Sequence, residues 1–278
     1  MEKERRPWWL YFNLSGLDAP LIAVIWLFLF AQTWRVDYHP WQAYVALGFA
    51  VWTIRIAMKL LKGSMSADEI SFVMVHRKPI KLAAVILGIF SITLTVMSFP
   101  LSVYTYLVVG ALFVAGYFAL TLFSQQEGNE ISYARHAMGG VVFAYGTALT
   151  AHVYLPGLGL QELLLSREFI CFAVLCLLAS SALELWERSE KPAADGEAGA
   201  VDEIALSLPL SLLGAAALVF AVKDDLMVAR PFYYAILTGA ALLQVLNRTR
   251  ARFDLNTLRV LTALCLLVPG IIFKSYPV

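Results

Sequence analysis

Arg55, Lys59 and Lys62 follow one another at steps of four and three residues, which at 3.6 residues per turn return to the same face of a helix. No acid lies between them. An ionisable residue inside an apolar span is costly enough to mark a site, and a cationic stripe of this kind suits an anionic group such as a phosphate. Three readings of Arg55 stay open: its head reaches the interface, it pairs with Glu184 or another acid, or it binds a ligand. Lys59 and Lys62 are closer to the helix end, where they can also oppose the helix dipole or reach headgroups.

The other ionisable residues at this depth are acids. Asp18, in Ser15-Gly16-Leu17-Asp18-Ala19-Pro20, has the makings of a helix N-cap with proline in the first turn. Glu184 and Glu187 are three residues apart and share a face, where one can pair with a cation while the other meets the interface.

These residues need elements to position them, and composition defines the elements. With 60% hydrophobic and 15% charged residues, the 278-residue chain is too apolar to cover a water-soluble globule. Apolar runs cover about 17–34, 41–61, 80–98, 101–123, 136–155, 168–186, 203–222, 229–246 and 257–274. None has strand periodicity, and lipid demands that every backbone polar group be satisfied internally. The expectation is an all-α, polytopic membrane helical bundle of about nine transmembrane helices, forming a single transmembrane domain over 1–278. The stretch behind the charged Met1 to Arg6 is too long for a signal peptide and has no small-residue cleavage site, so it is expected to remain as the first span. Pro100, in Ser98-Phe99-Pro100-Leu101-Ser102, marks a tight hairpin.

Basic residues orient the spans. With the N-terminus in the cytosol, the cytosolic segments hold Lys3, Arg5, Arg6, Lys59, Lys62, Arg77, Lys78, Lys81, Arg135, Arg188, Lys191, Arg248, Arg250, Arg252 and Arg259. The outer segments hold Arg35, Arg167, Lys223, Arg230 and Lys274, and Arg55 stays within a span. This asymmetry sets the N-terminus inside and the C-terminus outside. It also gathers Asp18, Arg55 to Lys62, Glu184 and Glu187 at the cytosolic end, where they can meet in one pocket. Two longer cytosolic loops are expected at about 63–79 and 188–202, the second rich in Ala, Gly and acid. The outer connection Pro156 to Arg167, with three successive leucines, suits the interface.

The remaining candidates read as structural. Cys171, Cys176 and Cys265 lie in apolar runs at spacings that support neither a metal site nor a disulfide framework. His136 and His152 lack a second ligand nearby, and Gly140, Ala144 and Ala148 form a small-xxx-small packing ridge. No basic patch argues for nucleic acid.

Short strings along nearly the whole chain resemble the UbiA-type superfamily of membrane prenyltransferases, in a divergent bacterial branch. They are Leu17-Asp18-Ala19-Pro20-Leu21, Ala50-Val51-Trp52, Ala57-Met58-Lys59-Leu60-Leu61-Lys62, His76-Arg77-Lys78-Pro79, Gly146-Thr147-Ala148-Leu149, Leu185-Trp186-Glu187-Arg188 and Leu258-Arg259-Val260-Leu261 to Leu267-Val268-Pro269. The resemblance implies a UbiA-like bundle in the bacterial inner membrane that acts on isoprenoid diphosphates, with Mg²⁺ held by aspartates at the end of the second helix. This chain departs from the pattern there. Met58 and Lys62 stand where an Ala-Asp-Arg-Leu-Leu-Asp string would place carboxylates, and neither ligates Mg²⁺. Ala263 likewise stands where an acid would be sought in the last span, and Glu187, Glu190, Asp195 and Glu197 do not form the expected regular pair.

Two functions follow from this mixture. In the first, the fold is kept without Mg²⁺-dependent transfer, no cofactor is held, and Arg55, Lys59 and Lys62 bind a membrane lipid, an isoprenoid or a protein partner through a cytosol-facing cavity. In the second, the chain is an active prenyltransferase whose cations stabilise the diphosphate, with Glu184 or Glu187 orienting the acceptor. A transporter is the weaker third reading, since no repeated halves are visible.

Overall fold

A computed structural model describes residues 8–61, 76–123, 129–189 and 198–274. Lys62 and most of the two expected cytosolic loops lie outside the described residues. The described residues form α-helices and one 3₁₀ turn, Arg250–Arg252, with no strand among them. In chain order the helices are α1 Trp8–Leu14, α2 Asp18–Thr33, α3 Trp41–Leu61, α4 Arg77–Ser98, α5 Val103–Phe123, α6 Asn129–His152, α7 Leu160–Leu165, α8 Arg167–Ser189, α9 Ala198–Lys223, α10 Arg230–Thr249 and α11 Leu255–Lys274.

Six of them, in α3, α4, α5, α8, α9 and α11, are long and apolar enough to cross a membrane, and α2 is a shorter apolar helix. Polar and small residues separate α6 and α10 from that set: α6 carries Arg135, Gly139 and Gly140, and α10 ends in Gln244, Asn247 and Arg248. The outward side chains of α4 include Leu82, Val85, Ile86, Ile89, Ile92 and Val96, all exposed. A helix that turns such residues away from the rest of the described bundle is compatible with lipid contact.

The core is built around α2, which packs against α3, α6 and α11. Trp26 and Phe30 are fully buried there. Trp26 stacks on Phe172 of α8 with ring centroids 4.4 Å apart and meets Phe232 of α10 edge-on. Its Nε1 donates to the Leu266 carbonyl (2.9 Å), tying α2 to the last turns of α11, where Pro269 interrupts the helical ladder. Gly140 permits a close approach of helix backbones: a Cβ there would lie 2.7 Å from the Cys176 carbonyl group and Leu177 Cα of α8. The small-xxx-small ridge is therefore a packing feature, as its spacing predicts.

The hairpin at Pro100 forms, with Phe99 in extended conformation before the proline and the Val103 N–H donating to the Pro100 carbonyl (3.0 Å). Its arms then diverge. α4 packs along α3 and α5 along α6, with scarcely any packing between α4 and α5 themselves. In the Pro156 to Arg167 connection, α7 buries Leu163 completely and leaves Leu165 exposed, so the leucine run is split between core and surface. All three cysteines are free and buried.

Candidate functional site

The turn between α1 and α2 prepares one end of the site. Gly16 adopts φ +73°, a left-handed conformation suited to glycine, and its open face lies 3.6 Å from the Arg55 side chain measured from an ideal Cβ. Trp52 Nε1 donates to the Ser15 carbonyl (2.9 Å), fastening the turn to α3. Asp18 is the first residue of α2 and not its N-cap: Leu17 holds the cap position in a helical conformation, without a side-chain capping bond. The Asp18 carboxylate turns across to other elements, accepting from Asn13 Nδ2 (2.9 Å) and Arg55 Nη2 (3.1 Å) through Oδ2.

Arg55 therefore pairs with Asp18, not with Glu184. One turn further along α3, Lys59 Nζ donates to the carbonyls of Asn13 and Leu14 at 3.0 and 3.1 Å. The Asn13 carbonyl also accepts from the Gly16 N–H (3.0 Å), so the lysine adds a second bond there and one to the Leu14 carbonyl at the end of α1. Lys59 is thus a clamp on α1 as well as a wall of the site. Glu184, on α8, faces Arg135 of α6 at 3.9 Å, with both side chains about nine-tenths buried. Glu187, one turn on, bonds Arg259 of α11.

These residues surround a single cavity of about 680 Å³, within the size range of small-molecule sites. Its polar end is lined by Asn13, Asp18, Arg55, Lys59, Tyr117, Thr121, Arg135, Glu187 and Arg259. Glu184 does not line it; that carboxylate acts through Arg135. Four cations stand against two carboxylates in this lining, or three with Glu184 behind Arg135, so the described residues leave a net positive charge of one at this end. Tyr117 lies across Gly139, whose missing side chain makes room for the ring: a Cβ there would come within 3.1 Å of it.

The rest of the cavity is apolar and long. On α3 the lining runs from Ala46 through Leu47, Ala50, Val51 and Ile54 to Lys59, a rise of about 20 Å. On α5 it runs from Val103 to Thr121, about 27 Å and close to the hydrocarbon thickness of a bilayer. Leu107 and Ala111 line the cavity and yet are exposed, so it opens sideways between the diverging arms of the α4–α5 hairpin. At the far end of the bundle, His152 is buried, with Nδ1 3.0 Å from the Tyr106 hydroxyl and its ring edge-on to Trp34. That environment suits the structural role its sequence setting implies.

The structure brings Asp18, Arg55, Lys59 and Glu187 together around one cavity, with Glu184 immediately behind it. Asn13, Tyr117, Arg135 and Arg259 belong to the same end and were not singled out as site residues from the sequence. In the sequence Arg135 signals only the orientation of the spans, and Arg259 that orientation and part of the Leu258-Arg259-Val260-Leu261 string, although each falls within the first two turns of a helix, at the depth of the acids it meets. Comparison with protein-family models, with curated proteins and with solved structures finds no match for this chain.

Proposed function

We propose that this chain is a multi-pass membrane protein that binds an anionic amphipathic lipid in its central cavity, the head at the Arg55 end and the chain along α3 and α5. The observation that carries the reading is the division of one cavity into a cation-rich end and an apolar shaft with a lateral opening. A negative head is favoured where four cations outnumber three carboxylates, Glu184 included, and guanidinium groups suit phosphate oxygens. The shaft accepts a hydrocarbon or isoprenoid chain, whose burial contributes about 0.8 kcal/mol per methylene group. A ligand already in the bilayer reaches such a cavity through the side.

The reading extends to nine spans, a cytosolic N-terminus, the bacterial inner membrane and a UbiA-like bundle, supported by the agreement of helix positions with the apolar runs and by the sequence resemblance. It places the protein among binders and not transferases, because Asp18 and Glu187 at the cavity are engaged with Arg55 and Arg259, and the second-helix carboxylates of the resembling family are replaced by Met58 and Lys62. Native mass spectrometry of the purified protein with phosphatidylglycerol and with phosphatidylcholine tests the proposal. The expected result is retention of the anionic lipid in preference to the zwitterionic one, weakened by Arg55→Gln. Turnover of a labelled isoprenoid diphosphate, with or without Mg²⁺, would contradict a binding-only role.

A further inference from the structure

We infer that the cavity prefers a lipid with a single chain on its anionic head, and that this chain runs past Gly146 toward the far end of the shaft. The inference rests on the anionic-lipid reading above and narrows its ligand class.

Volume sets the first limit. At about 30 Å³ for a water-sized group, a cavity of about 680 Å³ holds roughly twenty non-hydrogen atoms. A phosphate with one chain of about sixteen carbons has that number, and a phosphate with two such chains has nearly twice as many.

The walls set the second. Among the described residues that line the cavity, only Leu107 and Ala111 are exposed, so the lateral opening lies at their depth. Ala111 is about 9 Å along α5 from Tyr117 and about 15 Å from Thr121, which belong to the cation-rich end. Two chains on one phosphate diverge at the head itself. A second chain therefore meets closed wall where it has to leave, and the opening comes too far along the shaft to release it without strain.

Gly146 makes room for the first chain. It lines the shaft on α6, about 16 Å along the helix from Arg135. A Cβ there would meet nothing within 4 Å, whereas one at Gly140 would strike the backbone of α8. Helix packing thus makes no demand for glycine at 146, and glycine weakens a helix interior. What its missing side chain does is leave the shaft open at that depth.

The test uses native mass spectrometry of the full chain with phosphate diesters of equal charge. Methyl hexadecyl phosphate carries one chain, dihexadecyl phosphate two, and zwitterionic hexadecylphosphocholine is the reference for the head. The wild type is expected to hold methyl hexadecyl phosphate about tenfold more tightly than dihexadecyl phosphate, the scale of about two methylene groups kept from burial. Equal retention of the two diesters, both above the choline lipid, overturns the single-chain inference and leaves the anionic-lipid reading standing. Retention of methyl hexadecyl phosphate no better than hexadecylphosphocholine overturns the anionic-lipid reading instead.

Gly146→Phe locates the chain. The variant is expected to lose about tenfold for methyl hexadecyl phosphate and to stay within about twofold of wild type for methyl decyl phosphate, whose chain is too short to reach position 146. Unchanged retention of the longer lipid overturns the path past Gly146. Where the phenylalanine variant loses both lipids through misfolding, Gly146→Ala decides: a loss of about twofold confined to the longer lipid is expected, and no loss overturns the path. An acyl and an isoprenoid chain share this chemistry, and methyl geranylgeranyl phosphate distinguishes them: tighter retention than methyl hexadecyl phosphate assigns the isoprenoid chain, weaker retention the acyl chain.

Discussion

Arg55 and Asp18 meet through one contact, Nη2 to Oδ2 at 3.1 Å, that joins α3 to the first turn of α2. The pair has unequal surroundings: the Asp18 side chain is 6% exposed and that of Arg55 is 40% exposed. Removing the arginine strands a buried carboxylate with Asn13 Nδ2 alone, whereas removing the acid leaves a neutral amide and an arginine that is 40% exposed and still reaches the cavity. The arginine is therefore the more costly partner to lose.

Arg55→Ala is expected to destabilise the protein by about 1–3 kcal/mol, the cost of a buried charged group left without its counter-ion, and Asp18→Ala by less. A double-mutant cycle on unfolding in mixed micelles is expected to return a coupling of about 1 kcal/mol. Equal single-mutant costs with no coupling would show that the contact does not hold α2 to α3.

The two glutamates on α8 are expected to differ. Glu184 and Arg135 are both about nine-tenths buried, so Glu184→Ala removes a counter-charge from a buried cation and is expected to cost about 3–5 kcal/mol. Glu187 is 29% exposed, and Glu187→Ala is expected to cost about 1 kcal/mol. The order of the two unfolding midpoints is the readout, and a larger loss for Glu187 would contradict it.

Glycines offer a matched test of packing. Gly140→Ala places a methyl group against the Cys176–Leu177 backbone, which cannot rotate away, and is expected to cost about 1–3 kcal/mol. Gly116→Ala, on α5, meets nothing within 4 Å and is expected to be neutral or to stabilise by about 0.5–1 kcal/mol through helix propensity. Thermal unfolding in detergent separates the two, and similar midpoints would place α6 and α8 further apart than described.

Asp254 supplies a pH-dependent contribution outside the spans. Its carboxylate caps α11 by accepting from the Thr257 hydroxyl and backbone N–H, and the hydroxyl bond in particular holds its pKa below the usual value. A depressed folded-state pKa gives stability that is present above the unfolded value, about 3.9. That stability is lost as pH falls through the folded value. Asp254→Ala is expected to cost about 0.5–2 kcal/mol at pH 7 and progressively less as pH falls below about 4. A difference between wild type and variant that stays constant from pH 7 to pH 3 would rule out the carboxylate as its source.

Helices were legible because apolar runs long enough for lipid leave the backbone little choice: the expected second span, 41–61, is α3, Trp41–Leu61. The shared face of Arg55 and Lys59 was legible for the same reason, since helical spacing alone determines it. Partners were not. Arg55 meets Asp18 because α2 and α3 are neighbours, and Glu184 meets Arg135 because α6 and α8 are; neither adjacency is written in local spacing. Asp18 misled as an N-cap because its residue type fits that role, while the αR conformation of Leu17 starts the helix a residue earlier and frees the carboxylate for Arg55. The lateral opening at Leu107 and Ala111 depends on two hairpin arms diverging, which no residue on either arm signals.

Photo-crosslinking tests the central proposal most directly. A phosphatidylglycerol carrying a diazirine near the end of one chain is reconstituted with the protein, irradiated, and its adducts mapped by peptide mass spectrometry. The expected result is labelling of the cavity-facing residues of α5 and α6, among them Leu107, Val114 and Leu149, reduced severalfold by Arg55→Gln. Labelling confined to the outer face of α4, at residues such as Ile89 and Val96, and indifferent to Arg55→Gln would contradict lipid binding in the cavity.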